Sequence, residues 1–366
     1  SFRCEKGGKD RRWQHGVFAC ISMIVILVVG LVVRWRWIRG TAIDPNLGDM
    51  LPLIQESARA LLAGEFPYRI YHFPWPVPLT FPPALWMAYI PAEAVGLDLR
   101  YVALLCVAIM GAMWLMQYNA LSASDRNAHA VCLWAWVGLV GAFFLSPLIQ
   151  RFIIQGHTAP YWLALTLMPL LLYSRRNRAA AVCLGVICAM RQPAIFFVPI
   201  LWWYWMRIGS WRVATLRVGT ATVTAALIYL PFVVRDAEAV WWTPLQHYAE
   251  LGRGTLNSNP AAILETIGFS NLFYLKGWDR VLSLLATLAA AVIVALHLRR
   301  LNTAAATVLA MALTSLGFTL LAPIPWYYEY FPVLILFMQA WWIEAMGPDT
   351  PASSVTATRQ TIARAR

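Results

Sequence analysis

Two runs of this chain, Val17 to Val33 and Val281 to Leu298, contain no acid, lysine or arginine. Roughly 20 apolar residues are enough to cross a bilayer as a helix. In lipid every backbone group must be satisfied within the protein, which leaves only helices and closed barrels. Barrel strands alternate apolar and polar positions in short segments, and these runs do not alternate. Composition agrees: 60% of the 366 residues are hydrophobic and 13% are charged, against about 25% charged in an ordinary soluble domain. The expected fold class is therefore an all-α polytopic membrane protein.

Apolar segments fall near 17–37, 81–96, 101–118, 129–147, 158–173, 179–191, 194–206, 213–232, 279–298, 303–321 and 330–346. Basic clusters punctuate them: KGGKDRR at 5–12, SASDRN at 122–127, SRRNR at 174–178, RIGSWR at 207–212 and LRR at 298–300. Placing KGGKDRR in the cytoplasm, where loop Lys and Arg concentrate, sends the loop after the first run to the far side. SRRNR returns to the cytoplasm only if one intervening segment does not cross. The segment 81–96 is short and opens on Pro82-Pro83, so it is expected to lie at the interface. The parity argument gives about ten transmembrane helices with both termini cytoplasmic. It divides the chain into an N-terminal segment 1–16, a transmembrane domain 17–346 with outer loops 38–80 and 233–278, and a basic tail 347–366. The first run reads as a retained signal anchor. RWRWIRG at 34–40, arginine alternating with tryptophan, is expected to form an interfacial belt able to hold lipid phosphate.

The net charge of +12 does not point to nucleic acid. The Lys and Arg are scattered as topogenic clusters and do not form one basic face. The cysteines, Cys4, Cys20, Cys106, Cys132, Cys183 and Cys188, include no CxxC and sit mostly in apolar runs, so they read as packing residues.

On this topology every polar cluster that is not topogenic shares one outer face. Asp44 and Asp49 lie in the first loop, followed by MLPLIQESARALLAG. Asp49 could act as a general base at the membrane edge, or it could cap that helix. Arg69 and His72 stand among prolines and aromatics, where they could meet a phosphate or sugar hydroxyls. RFIIQGHTAPYW brings Gln155 and His157 to a helix entry. Arg191 and Gln192 end a short apolar segment, and an arginine there is costly unless it is paired, hydrated or bound to an anion. The loop 233–278 carries Asn257 and Asn259, polar enough to line a sugar site. PIPWYYEYFP places Trp326 and Glu329 at the start of the last span. Walker A, GxGxxG, HExxH and GxSxG signatures are all missing from the sequence. An enzymatic reading therefore looks for its activated donor in the membrane.

Taken in order, these segments resemble the GT-C-fold glycosyltransferases that use polyprenyl-phosphate sugars, above all the bacterial polyprenol-phosphate-mannose-dependent mannosyltransferase group. The residues that carry the likeness are Asp49, the helix Ala58 to Gly64, Pro67-Tyr68, Phe81-Pro82-Pro83, QGH at 155–157, SRRNR, Leu184-Gly185, Arg191-Gln192-Pro193, Asn257-Ser258-Asn259 and Pro325-Trp326-Tyr327-Tyr328-Glu329. Arg191 stands where lysine is commoner in that group, and Glu329 where His or Asp is. The resemblance covers residues 44 to 340. It implies a GT-C-like fold with juxtamembrane helices in the first outer loop, in the inner membrane of a bacterium. It also implies inverting transfer of mannose or another hexose from a polyprenyl-phosphate donor to a lipid or glycan acceptor on the extracytoplasmic face. Asp49 would be the base, with Asp44 as its stand-in. Arg69, His72, Gln155, His157, Arg191, Gln192, Asn257, Asn259, Trp326 and Glu329 would bind the donor phosphate and sugar. No metal ligand is indicated, although some GT-C enzymes use a divalent cation. Two other classes stay open: a transporter or flippase, whose polar groups would sit at mid-membrane on broken helices, and a non-catalytic subunit of a membrane complex.

Overall fold

Apolar runs free of internal punctuation become helices, and the structure, a computed structural model, is 79% helical. It describes residues 7–45, 48–73, 76–122, 129–147, 149, 157–241, 268–322 and 326–347. Among these the helices are α1 (Gly7–Gly40), α2 (Met50–Leu62), α3 (Pro83–Met87), α4 (Ile90–Ala94), α5 (Arg100–Ser122), α6 (His129–Leu145), α7 (Ala159–Tyr173), α8 (Asn177–Cys188), α9 (Phe197–Ile208), α10 (Trp211–Val233), α11 (Ala237–Trp241), α12 (Ser270–Leu275), α13 (Leu282–His297), α14 (Ala304–Leu320) and α15 (Tyr330–Met346). The one sheet described is a hairpin, β1 (Ile70–His72) antiparallel to β2 (Pro76–Pro78).

Among the described residues four helices are long and apolar enough to cross a membrane: Val17–Gly40, Arg100–Leu121, Trp211–Val233 and Leu282–Arg300. Their outward faces support that reading. α10 exposes Leu216, Val223, Leu227 and Leu230, and α13 exposes Leu284, Leu288, Val292 and Leu296. Water would oppose such contiguous apolar surface, and lipid tails would not. Four further apolar helices are shorter: Cys132–Leu145, Ala159–Tyr173, Asn177–Cys188 and Ala304–Leu320.

The bundle is built by neighbours in the chain. α1 packs on α5 and α6, α5 on α7, and α7 on α8 and α15. α8 and α9 both pack on α10, α9 also meets α14, and α14 lies between α13 and α15. Where two helices close to backbone contact, a glycine permits it. A Cβ on Gly185 of α8 would collide with the Ala221 carbonyl of α10 and reach the Thr224 Cβ at 2.6 Å. Small residues at such crossings let membrane helices gain packing energy, since lipid supplies little hydrophobic drive for helix association.

The first loop folds onto one end of this bundle. α2 buries Leu51, Leu53, Ile54 and Ala58 and leaves Arg59 exposed. It stops in a Schellman motif at Gly64 (φ +78°), with Gly64 N–H donating to Leu61 and Glu65 N–H to Ala60 at 3.0 and 2.8 Å. Segment 81–96 becomes two five-residue helices, α3 and α4, each with a proline in its first turn. Neither is long enough to cross a bilayer.

The expectation for RWRWIRG is corrected at Arg34. Its side chain is not interfacial but fully buried. One guanidinium nitrogen donates to the Phe143 carbonyl at 3.5 Å, and the group lies 4.9 Å from the Phe144 ring centre. The charge thus sits at the C-terminal end of α6, where the helix dipole is negative. Gly30 allows the approach: a Cβ there would stand 3.0 Å from the Phe144 carbonyl oxygen. Trp35 and Trp37 do remain exposed, and Arg39 lies over Trp35.

Candidate functional site

One end of the bundle gathers the end of α1, the starts of α5, α7 and α15, the ends of α8 and α10, and the first loop. The hydrogen bonds that define it are specific. Arg100, at the start of α5, pairs with Asp98 and donates to the carbonyls of Thr41 (2.7 Å) and Ile38 (3.0 Å) beyond and within the last turn of α1. Ala84 N–H of α3 donates to the Ala189 carbonyl after α8 at 3.0 Å. Tyr89, between α3 and α4, donates its hydroxyl to the His157 carbonyl at 3.0 Å. At the end of α10, Arg235 donates to the Gly64 carbonyl at 3.1 Å, and Phe232 packs on Tyr68 and Trp86.

The aromatic and proline-rich stretch therefore does more than stop helices. Tyr68, Tyr71, Trp86 and Tyr89 are all buried. Tyr68 donates to the Phe81 carbonyl at 3.1 Å and Tyr71 to the Pro67 carbonyl at 2.8 Å. These bonds fix the loop so that the Phe81 ring packs, tilted by 37°, against the His157 ring at 4.0 Å between centres. Arg59 joins α2 to α4 through Glu93 at 2.7 Å, and Glu93 also accepts from Gln55. The Glu93 bond is the main reason the Arg59 pKa is raised.

At the centre of this end, Arg191 forms an ion pair with Glu329, linking the turn after α8 to the start of α15. Their side chains are 15% and 17% exposed, shielded from solvent but not sealed. Both carry charge within electrostatic reach of Tyr161 in the first turn of α7. His157 is completely buried. Burial first, and the Arg191 charge second, push its imidazole well below the usual histidine range, so it is neutral at pH 7.

The structure thus brings Arg191, Glu329 and His157 together, with Gln192 partly buried at the turn and Trp326 packed against the core beside Glu329. Asp49 occupies the N-cap of α2 with helical backbone angles (φ −78°, ψ −15°), and its carboxylate makes no capping hydrogen bond. Its backbone carbonyl does accept the first helical bond, from Leu53, at 2.9 Å. Asp44, four residues earlier, is half-buried, and its carbonyl accepts from Gly48 N–H. Arg69 and His72 are the two exposed flanks of the β1 region. Arg69 is paired with Glu65 at 2.6 Å and lies over Tyr71, so its charge is already met locally. Gln155, Asn257 and Asn259 lie outside the described residues. Among the described residues no group of three His, Cys, Asp or Glu side chains could hold a metal ion.

Several polar residues escaped the sequence reading. Thr158 is 2% exposed and Arg100 is 3% exposed. Gln117 of α5 and Gln339 of α15 form a reciprocal amide pair at 2.5 and 3.2 Å in the bundle interior. A lone amide inside an apolar run is itself a signal, because it must find a partner there. Thr158 gave no such signal, since threonine before a helix is ordinary. No protein-family profile, curated protein or solved structure matches this chain.

Proposed function

We propose that this chain is a GT-C-type glycosyltransferase of about ten transmembrane helices, working in the inner membrane of a bacterium with both termini in the cytoplasm. Its donor is a polyprenyl-phosphate-linked hexose, most consistent with mannose, and its acceptor is a lipid or glycan hydroxyl at the extracytoplasmic face. The reading is supported by the ordered motifs from Asp49 to Glu329. The observation that carries it is the meeting of Arg191, Glu329 and His157 beneath the first loop, at the end of the bundle away from the basic clusters.

In this reaction the Asp49 carboxylate takes the proton of the acceptor hydroxyl. The acceptor oxygen bonds to the anomeric carbon from the face opposite the leaving group. The bond between that carbon and the phosphate oxygen breaks, and its electron pair stays on the polyprenyl phosphate. The configuration inverts. Arg191 offsets the charge growing on the phosphate, an electrostatic contribution that is largest in a site shielded from water. Neutral His157, held by Phe81, can share a hydrogen bond but brings no charge.

The test is transfer from labelled polyprenyl-phosphate mannose to candidate lipid or glycan acceptors in proteoliposomes. Asp49→Asn is expected to slow transfer by about a hundredfold or more while leaving the fold intact. Transfer that survives this substitution removes Asp49 as the base. Absence of transfer from any polyprenyl-phosphate sugar, alongside measurable substrate flux across the liposome, replaces the enzyme by a transporter.

A further inference from the structure

Thr158 is the N-cap of α7, yet its side chain accepts no capping bond from that helix. Its hydroxyl is shut off from solvent and meets no hydrogen-bond partner among the described residues. A buried hydroxyl left so is costly, and it sits at a helix terminus whose first amides point outward and carry partial positive charge. Pro160 removes one of those donors, which leaves the amides of Ala159 and Tyr161. The first loop ties this turn to the one that carries Arg191: Tyr89 donates to the His157 carbonyl and Ala84 N–H to the Ala189 carbonyl, both at 3.0 Å.

We infer that the start of α7, the Thr158 hydroxyl and the Arg191 guanidinium form a seat for the phosphate monoester that leaves in the transfer, polyprenyl monophosphate, and that the Glu329 carboxylate occupies the arginine's share of that seat until this phosphate displaces it. This deepens the reading proposed above and rests on it for the identity of the ligand. Its physical basis is competition. A carboxylate satisfies one guanidinium fork with a single charge. A phosphate monoester brings nearly two charges and three acceptor oxygens, enough to engage the guanidinium fork, the hydroxyl and an amide together. Glu329 then acts as an internal competitor that neutralises Arg191 when no ligand is bound. The partial exposure of the pair, 15% and 17%, leaves a way in, whereas the fully buried Arg34 has none.

The experiment is binding to the purified full chain in detergent, followed by its tryptophan fluorescence. The probes are polyprenyl monophosphate, uncharged polyprenol, phosphatidic acid and inorganic phosphate. Glu329→Gln is expected to tighten polyprenyl monophosphate by about tenfold, because the charged competitor is gone. Thr158→Val is expected to weaken it by about fivefold, the loss of one hydrogen bond. Thr158→Ser, which keeps the hydroxyl, is expected to bind as wild type, so a folding defect in the valine variant cannot imitate the result. Uncharged polyprenol is expected to show none of these shifts. The same ratios with inorganic phosphate show that the seat reads the phosphate itself. The same ratios with phosphatidic acid but not the polyprenyl probe move the ligand to a bilayer headgroup. Glu329→Gln binding no tighter, or Thr158→Val binding as tightly as Thr158→Ser, for every phosphate tested overturns the inference. Shifted binding without sugar transfer would leave this seat standing and remove the proposed enzyme. Transfer with unshifted binding would do the reverse.

Discussion

At one end of the α8–α9 hairpin arginines lie over tryptophans; at the other a single arginine meets a carboxylate. Trp205 of α9 donates to Asn177 of α8 at 3.0 Å, so the two helices run antiparallel and the start of α8 lies beside the end of α9. Around that end Arg207 lies over Trp203, Arg212 over Trp211 and Arg217 over Trp205, at 5.6 to 6.0 Å. None of these arginines has an ion-pair partner among the described residues. Arginine paired with aromatic surface is suited to the headgroup level of a membrane, and its value there is topological. The turn end differs in kind. Arg191 is shielded, its charge is met by Glu329, and the first loop, α7 and α15 all close around it. The contrast teaches that arginine count does not locate a site. What matters is whether a cation's partner is a surface it rests on or a group it can exchange.

The largest effect expected on this comparison comes from separating the hairpin from its support. Gly185→Leu forces α8 away from α10 and is expected to cost about 3 kcal/mol or more, read as a lower melting temperature. A wild-type melting temperature would show that the close crossing is not needed. Next, Glu329→Ala leaves Arg191 shielded without its carboxylate. Allowing for the partial exposure of the pair, the cost is about 1–3 kcal/mol, and Glu329→Gln is expected to cost less. A Glu329→Gln variant as stable as wild type would mean that the glutamate only fills space.

Acidification tests the turn end alone. The folded-state pKa of His157 is depressed, so the unfolded chain binds its proton first. Stability is full above the ordinary histidine value of about 6.5 and falls as pH drops below it, by up to about 1.4 kcal/mol per pH unit. A His157→Gln variant is expected to lose that extra slope in thermal melts between pH 7 and pH 5. An unchanged slope would mean that His157 is not the buried neutral base described. The smallest effect belongs to the other end: Arg212→Gln is expected to change stability by no more than about 0.5 kcal/mol.

Much of the scaffold was legible because long apolar runs have few outcomes. The run 330–346 became α15 without a residue's change, and 213–232 became α10 within two residues at either end. Segment 81–96 was readable as non-crossing because prolines break a helix by removing a donor and clashing with the previous turn. The site was legible only in part. Arg191 and Glu329 stood out as charges in apolar surroundings, but their mutual pairing depends on α8 and α15 meeting across 138 residues, which no local pattern encodes. Arg34 misled for a related reason. Its alternation with tryptophan fits an interfacial belt, and only the approach of α6 at Gly30 turns it inward. The pairing of Arg69 with Glu65, four residues earlier, was not read from the sequence either.

The claim at the centre of this account is that the turn end works on a lipid-linked phosphate and the opposite end only sits in the membrane. Transfer from labelled polyprenyl-phosphate mannose by Arg191→Met and Arg212→Gln, reconstituted side by side, measures it directly. The account predicts a loss of about a hundredfold for Arg191→Met and a wild-type rate for Arg212→Gln. Equal rates in the two variants would contradict it.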